Sequence, residues 1–257
     1  MRTIGVFDSG VGGVSVLKEV IKEFPYDNII YFGDSLHAPY GDREIEEIRA
    51  LCLKVSDFLV YEKKVDAIVI ACNTATGAAM HIMKERYHIP VVGVVNNGVK
   101  EGIRVTKNKN IGVIATPATI KMDIYLKEFN RIDKNLNIYQ VKCPLFVGMI
   151  ERGWIDNEES NQLIKDYLSN LPQNVDTLIL GCTHYPLIEK YIKRHFIGSI
   201  VDPAKETANS LKTIIGEGGS SEKTSIKFFV SGDCQKFKEV AQEFLGTNID
   251  KVEKIIL

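Results

Sequence analysis

The chain carries almost no net charge. Its 32 Lys and Arg against 33 Asp and Glu leave −1 over 257 residues, and no long basic run occurs, so the electrostatic footprint of a nucleic-acid-binding protein is missing. No apolar stretch approaches the roughly 20 residues that span a bilayer, so no membrane partner is expected. Met1-Arg2-Thr3, followed by a short strand-like run and then Asp8, does not read as a signal peptide. Cysteine is scarce. The five (Cys52, Cys72, Cys143, Cys182 and Cys234) are odd in number and widely spaced, with no CxxC. No disulfide framework is expected, the common zinc spacings are missing, and a reducing cytoplasm is the expected location. Low-complexity tracts are absent. What remains is the 45% hydrophobic, 25% charged composition of an ordinary globular protein, long enough for one large domain or two small ones.

What the chain does contain is an alternation. Thr3–Phe7, Asn28–Gly33, Ala67–Ile70, Val91–Val94, Ile111–Ala115, Ile138–Lys142, Thr177–Leu180, Ser199–Val201 and Ser225–Val230 read as short strands rich in Ile and Val. Most lack an apolar–polar alternation, as strands buried on both faces of a parallel sheet do. The intervening segments have helical spacing. Val14, Leu17, Val20, Ile21 and Phe24 make one apolar stripe, and Ile45, Ile48, Leu51, Cys52, Val55 and Leu59 make another. The expected architecture is α/β with right-handed crossovers.

The chain also repeats itself. Val65-Asp66-Ala67-Ile68-Val69-Ile70-Ala71-Cys72 is answered 110 residues later by Val175-Asp176-Thr177-Leu178-Ile179-Leu180-Gly181-Cys182, and Ile4-Gly5-Val6-Phe7-Asp8 by Ile111-Gly112-Val113-Ile114-Ala115 at an offset of 107. Two similar parallel-sheet α/β domains related by pseudo-symmetry are the simplest account, with a site in the cleft between them. The first comprises residues 1–95 plus a returning C-terminal segment, 206–257; the second comprises 96–205. The stretch from Gly216 to Ser221 reads as a surface loop.

Ligands of open α/β sheets sit beyond the carboxyl ends of the strands, and the residues found there are informative. The first strand is followed by Asp8-Ser9-Gly10-Val11-Gly12-Gly13, the second by Asp34-Ser35 and then Pro39-Tyr40-Gly41, and the third by Cys72-Asn73-Thr74. Thr116 and Thr119 follow the fifth, Glu151 lies beyond the sixth, and Cys182-Thr183-His184 follows the seventh. Small hydroxyl and amide residues at helix starts receive carboxylates well, so a small substrate with more than one carboxylate is indicated. The Gly-rich turn after the first strand is a poor dinucleotide fingerprint. Its third glycine position falls on Ser15, and Asp8 would repel a pyrophosphate.

Free cysteines are usually inert core residues, a reading that suits Cys52, Cys143 and Cys234. Cys72 and Cys182 each end a strand just before a helix, where a thiol pKa is expected to fall. A strand that twice delivers a thiol to its carboxyl end suggests two thiols facing one substrate carbon, as a two-base proton transfer requires. His184 is positioned to partner Cys182, and Asp8 to partner Cys72. These groups and Glu151 could also be read as metal ligands, but Cys-x-His is not the usual zinc spacing, and no metal is expected. His37, His81, His88 and His195 have no partner in sequence, and Asp156 reads as a helix cap.

Taken in order, Phe7-Asp8-Ser9-Gly10-Val11-Gly12-Gly13, Pro39-Tyr40-Gly41, Ala71-Cys72-Asn73-Thr74-Ala75-Thr76, Thr116 with Thr119, Pro144-Leu145-Phe146-Val147, Glu151 and Leu180-Gly181-Cys182-Thr183-His184-Tyr185-Pro186 resemble the glutamate racemases over nearly the whole chain. Members of that family supply D-glutamate for peptidoglycan without a cofactor. The resemblance implies Cys72 and Cys182 as the two acid/base thiols. It implies Asp8 as the helper of the first, His184 as that of the second, and Glu151 in support. Ser9, Pro39, Tyr40, Gly41, Asn73, Thr74, Thr116, Thr119 and Thr183, with Asp8, would hold glutamate, and a homodimer is implied. The strand-end motifs contain no lysine for a pyridoxal cofactor. Two departures stand out. Val95-Asn96-Asn97-Gly98 and Gly148 replace prolines usual in the family, which should loosen the turns beside the cleft. The competing readings are an aspartate racemase of the same superfamily, an amino-acid sensor, and a zinc hydrolase.

Overall fold

In the computed structural model, residues 2–218 and 225–257 are described. Ten strands form two sheets: β1 (Thr3–Asp8), β2 (Asn28–Gly33), β3 (Ala67–Ile70), β4 (Val91–Gly93), β5 (Asn110–Ala115), β6 (Asn137–Lys142), β7 (Thr177–Gly181), β8 (Ser199–Val201), β9 (Ile226–Val230) and β10 (Val252–Lys254). The first sheet has the order β10-β9-β2-β1-β3-β4 and the second β6-β5-β7-β8. Every pairing is parallel. The order β2-β1-β3-β4 maps onto β6-β5-β7-β8, so the internal repeat of the sequence is a repeat of topology. The fold is two similar parallel α/β layers related by pseudo-symmetry.

The inner strands read as continuous apolar runs because both faces are covered. In the first sheet, Phe7, Ile30, Phe32, Ile68 and Ile70 pack with Ile48, Leu51, Val55 and Ala79 on one face. Ile4, Val6, Ile29, Tyr31 and Val69 pack with Val14, Leu17, Val20 and Leu211 on the other. The period of two along each strand sends neighbours to opposite cores. The second sheet has its own pair of cores, one with Ile114, Leu178, Leu180 and Phe146, the other with Ile111, Val113, Ile179 and Phe129. Among the described residues, no helix is long and apolar enough to cross a membrane.

Four local details depart from the sequence reading. Val94 opens the helix Val94–Val105 rather than closing β4. Strand β10 was not legible, because its three residues, Val-Glu-Lys, carry no apolar run and pair only along β9 at the sheet edge. Asn157, not Asp156, caps the helix Glu158–Leu168, accepting the Ser160 N–H at 2.9 Å in a capping box. The Asp156 carboxylate instead binds Arg194 and Asn161. Finally, Val95-Asn96-Asn97-Gly98, read as a turn, lies inside the helix Val94–Val105, where Asn97 Nδ2 donates to Gly93 O at 2.9 Å and Asn96 donates to Glu128. Of the stretch from Gly216 to Ser221, Gly216 ends the helix Ala204–Ile215 with φ +69°, and residues 219–221 lie outside the described residues.

The C-terminal segment adds β9 beside β2 and continues into Ser231, whose hydroxyl donates to Asp34 Oδ1 at 2.6 Å and accepts the Leu36 N–H at 2.9 Å. Ser231→Ala would leave a partly buried N–H and a buried carboxylate each short of a partner. The expected loss is about 1–3 kcal/mol of stability, read as a lower urea midpoint with an unchanged denaturant slope.

Candidate active site

In each sheet the strand order reverses at its central strand, β1 or β5, and the crevice opens at the carboxyl end there. The sequence places its chemistry at those points. Asp8 ends β1, Cys72 follows β3, Thr116 follows β5, and Cys182 follows β7. The two crevices face each other across one narrow cavity with about 20 Å³ of free space. It is lined by Ser9, Pro39, Tyr40, Gly41, Cys72, Asn73, Thr74, Thr116, Glu151, Cys182, Thr183 and His184, with Ala38 and Val147. Twelve of the fourteen residues singled out from the sequence therefore meet there. Asp8 and Thr119 stand one layer behind, both at 0% exposure. Among the described residues, no group of three or more His, Cys, Asp or Glu side chains is arranged to hold a metal ion.

On one wall, Cys182 Sγ lies 3.8 Å from His184 Nδ1, and His184 Nε2 lies 3.1 Å from Glu151 Oε1. Burial by itself would lower the His184 pKa, but the hydrogen bonds to Cys182 and Glu151 outweigh it and raise the pKa to about 10. His184 is thus an imidazolium at neutral pH, with both ring nitrogens donating. Its hydrogen bond in turn holds the Glu151 carboxyl below the usual range, against partial burial. The stabilisation from this charge is complete below the ordinary imidazole value of 6.5 and is lost as pH rises through about 10.

The other wall is different. Cys72 caps the helix Asn73–Arg86, its Sγ accepting the Ala75 N–H at 3.4 Å and lying 3.7 Å from Ser9 Oγ. The helix start was expected to lower this thiol's pKa. Burial instead raises it to about 12, with the nearby Asp8 carboxylate adding to the rise and the Ala75 and Ser9 contacts opposing it. Desolvation of a thiolate outweighs one long N–H···S contact. Asp8 is held by the Gly10 N–H at 3.0 Å and the Thr183 hydroxyl at 3.3 Å. Its own pKa is raised by burial despite the His184 charge. At neutral pH the cleft thus offers a protonated thiol on one side and a sulfur beside an imidazolium on the other.

The remaining residues make a receptor of neutral donors. Thr74, Thr116 and Thr119 form a triangle of hydroxyls, each 3.0 Å from the next, that joins the two halves. Gly41 packs against Thr116, where a Cβ would come within 2.7 Å of the threonine Cβ. Tyr40 turns its hydroxyl away from the cavity, to Asp34 Oδ2 at 2.6 Å. Among the described residues lining the cavity there is no Lys or Arg. The first-turn N–H groups at Asn73 and Thr74 add the positive end of a 14-residue helix. Cys52 and Cys143 are buried in the cores, whereas Cys234 is only partly buried at the start of the helix Cys234–Leu245. His37 and His195 do have partners, Asp34 at 2.8 Å and Asn161 at 3.1 Å. Ala38, Val147, Asp34 and Tyr125 were not singled out for the site. Val147 lay within a quoted motif and Asp34 at a strand end, but nothing in the sequence marked Ala38 or Tyr125.

A family model described as Asp/Glu/Hydantoin racemase matches residues 4–211. The chain belongs to that family. It is 42% identical to a glutamate racemase of Sulfurihydrogenibium sp. (strain YO3AOP1), with 99% of this chain and 97% of the relative covered. Among solved structures, it is similar to a glutamate racemase isoform, RacE1, from Bacillus anthracis, with a TM-score of 0.95, 37% identity and coverage of 100% and 98%. It is also similar to the glutamate racemase of Francisella tularensis subsp. tularensis SCHU S4 in complex with D-glutamate, with a TM-score of 0.92, 34% identity and coverage of 99% and 97%.

Two outcomes follow from the geometry of this racemase-family site. A Cβ on Gly12 would lie 2.5 Å from His184 Nδ1 and 2.6 Å from Thr183 Oγ1. Gly12→Ala therefore displaces the imidazole from Cys182, and turnover should fall roughly a hundredfold, the scale of losing one positioned proton-transfer group, while far-ultraviolet circular dichroism is retained. Glu151→Gln removes a charged partner from His184. The alkaline limb of the pH–rate profile should move down by about one unit, the pK equivalent of one charge-assisted hydrogen bond.

Proposed function

We propose that this protein is a cofactor-independent glutamate racemase that interconverts L- and D-glutamate by transfer of the α-proton between two thiols. The observation that carries this reading is the meeting of two strand-end cysteines in one closed cavity, each with a different proton partner, in a chain of this family. The glutamate-bound relative and the glutamate racemase names of the others support glutamate as substrate.

In the direction that starts with an unprotonated Cys182, its sulfur takes the α-proton, breaking C–H and forming S–H. Cys72 delivers its own proton to the opposite face, breaking S–H and forming C–H, and ends as a thiolate. Between turnovers Cys182 releases its proton to solvent and Cys72 regains one from it, which restores the starting state with no net proton consumed. Asp8 acts by making the Cys72 thiolate more basic. His184 carries a proton beside Cys182 and is held in place by Glu151. Ser9, Asn73, Thr74, Thr116 and Thr183, with backbone N–H groups around Pro39, Tyr40 and Gly41, would receive the two carboxylates, and Thr119 would support Thr74 and Thr116 from behind. Donors at the α-carboxylate offset charge as the carbanion-like transition state develops.

Around this chemistry we place a cytoplasmic homodimer supplying D-glutamate for peptidoglycan. Its two α/β domains would be residues 1–95 with 206–257, and residues 96–205. Purified protein in deuterated water with L-glutamate and no cofactor should lose optical rotation while deuterium enters the α-position. Cys72→Ala and Cys182→Ala should each lower racemisation by about 10²–10⁴-fold or more. Full turnover by either variant would contradict the two-thiol account, and exchange with L-aspartate alone would keep the mechanism and change the substrate.

A further inference from the structure

Asn73 lines the cavity at the first turn of its helix, yet its side-chain oxygen is not offered to a ligand. Tyr125 donates its phenolic proton to Asn73 Oδ1 at 2.6 Å, in a buried contact between residues 52 apart. The partners come from different halves. Asn73 follows β3, while Tyr125 is the second residue of the helix Ile124–Ile132, which follows β5. The Tyr125 ring is at 0% exposure, packed with Val99, Val113, Phe129 and Ile179. Two glycines crowd it: a Cβ on Gly181 would lie 3.3 Å from the ring and one on Gly98 3.4 Å from the hydroxyl. The ring has little room to swing away.

We propose that Tyr125 is a positioning residue for substrate binding, holding the Asn73 amide so that its Nδ2 amino group faces the cavity and meets a substrate carboxylate. An amide turned by 180° would present an oxygen to that carboxylate and repel it, so the orientation decides whether Asn73 attracts or rejects. The phenol is kept in its donating form by burial, with Asp202 and Cys182 nearby adding to the effect. Because donor and acceptor belong to different halves, the amide is set only when the halves are together. The receptor is therefore completed by closure. This inference rests on the glutamate racemase reading.

The test is a double-mutant cycle on the full-length enzyme, with kcat and KM for glutamate measured for wild type, Tyr125→Phe, Asn73→Ala and the double variant. Tyr125→Phe should raise KM about tenfold, the scale of one hydrogen bond, with kcat changed far less. In the Asn73→Ala background the same change should have no further effect on KM. Asn73→Asp keeps an acceptor for Tyr125 but turns a second oxygen to the cavity, and should raise KM by more than Tyr125→Phe does. An unchanged KM in Tyr125→Phe, an equal rise in both backgrounds, or an unchanged KM in Asn73→Asp would each overturn the proposal. Wild type inert toward glutamate would bring down the functional reading and this inference together. An active wild type with an additive cycle would bring down only this inference.

Discussion

The site depends on one charge. His184 carries its proton in a place where water cannot solvate it, and it does so because Cys182, Glu151 and Asp8 surround it. Each of those groups would be costly to bury alone. Together they form a compact set in which the imidazolium offsets the carboxylates and the carboxylates hold the imidazolium. A buried pair of this kind need not add stability compared with an apolar core, but breaking one member leaves the others uncompensated. The backbone is shaped around the set. Gly12 leaves the imidazole its space, and Gly13 lets the chain pass Asp8, whose Cβ would sit 2.4 Å from any added Cβ. The Gly-rich turn after β1 thus serves close packing between the two halves rather than the cradling of a phosphate.

The fold was legible to the extent that it is written in periodicity. Parallel strands covered on both faces have no choice but to be continuous apolar runs, so the inner strands could be read from Ile and Val alone. Strand β10 could not, because an edge strand of three residues is specified by its neighbour and not by its own side chains. The repeat announced paired sheets, and the residues at strand ends announced the cavity, since topology forces those ends together. What stayed hidden depends on contacts between distant residues. Asp34 with Ser231 spans 197 positions, and Tyr125 with Asn73 spans 52. No local pattern encodes such a pair, and a lone tyrosine in an amphipathic helix reads as core.

The repeat also concealed an asymmetry. Sequence similarity between the two cysteine phrases suggests two equivalent thiols, each activated by a helix start. Cys72 does cap an α-helix of 14 residues, but Cys182 leads into a short 3₁₀ turn, Tyr185–Ile188, with His184 placed between. One thiol therefore meets backbone N–H groups and a carboxylate, the other an imidazolium. A helix terminus supplies about half a positive charge over its first turn, which at Cys72 is too little to offset desolvation. The difference suits a reaction in which, at any moment, one sulfur must hold a proton and the other must lack it.

The absence of Lys and Arg from the described cavity lining then acquires a reason. A fixed cation strong enough to grip a dicarboxylate would also compete for the thiolate and would stabilise ground state and transition state alike, which does not speed the chemical step. Hydroxyls, an amide and backbone N–H groups bind without doing so, but only if each is aimed, because a neutral dipole pointed the wrong way repels. Aiming is what the surrounding structure provides. Asp34 accepts from Tyr40, Ser231 and His37, so the segment carrying Pro39 and Gly41 is fastened to the C-terminal return. The threonine triangle and the Tyr125–Asn73 bond do the same across the cleft. A receptor made of weak donors must be rigid where a receptor made of charges could be loose, and the buried polar ties around this cavity supply that rigidity.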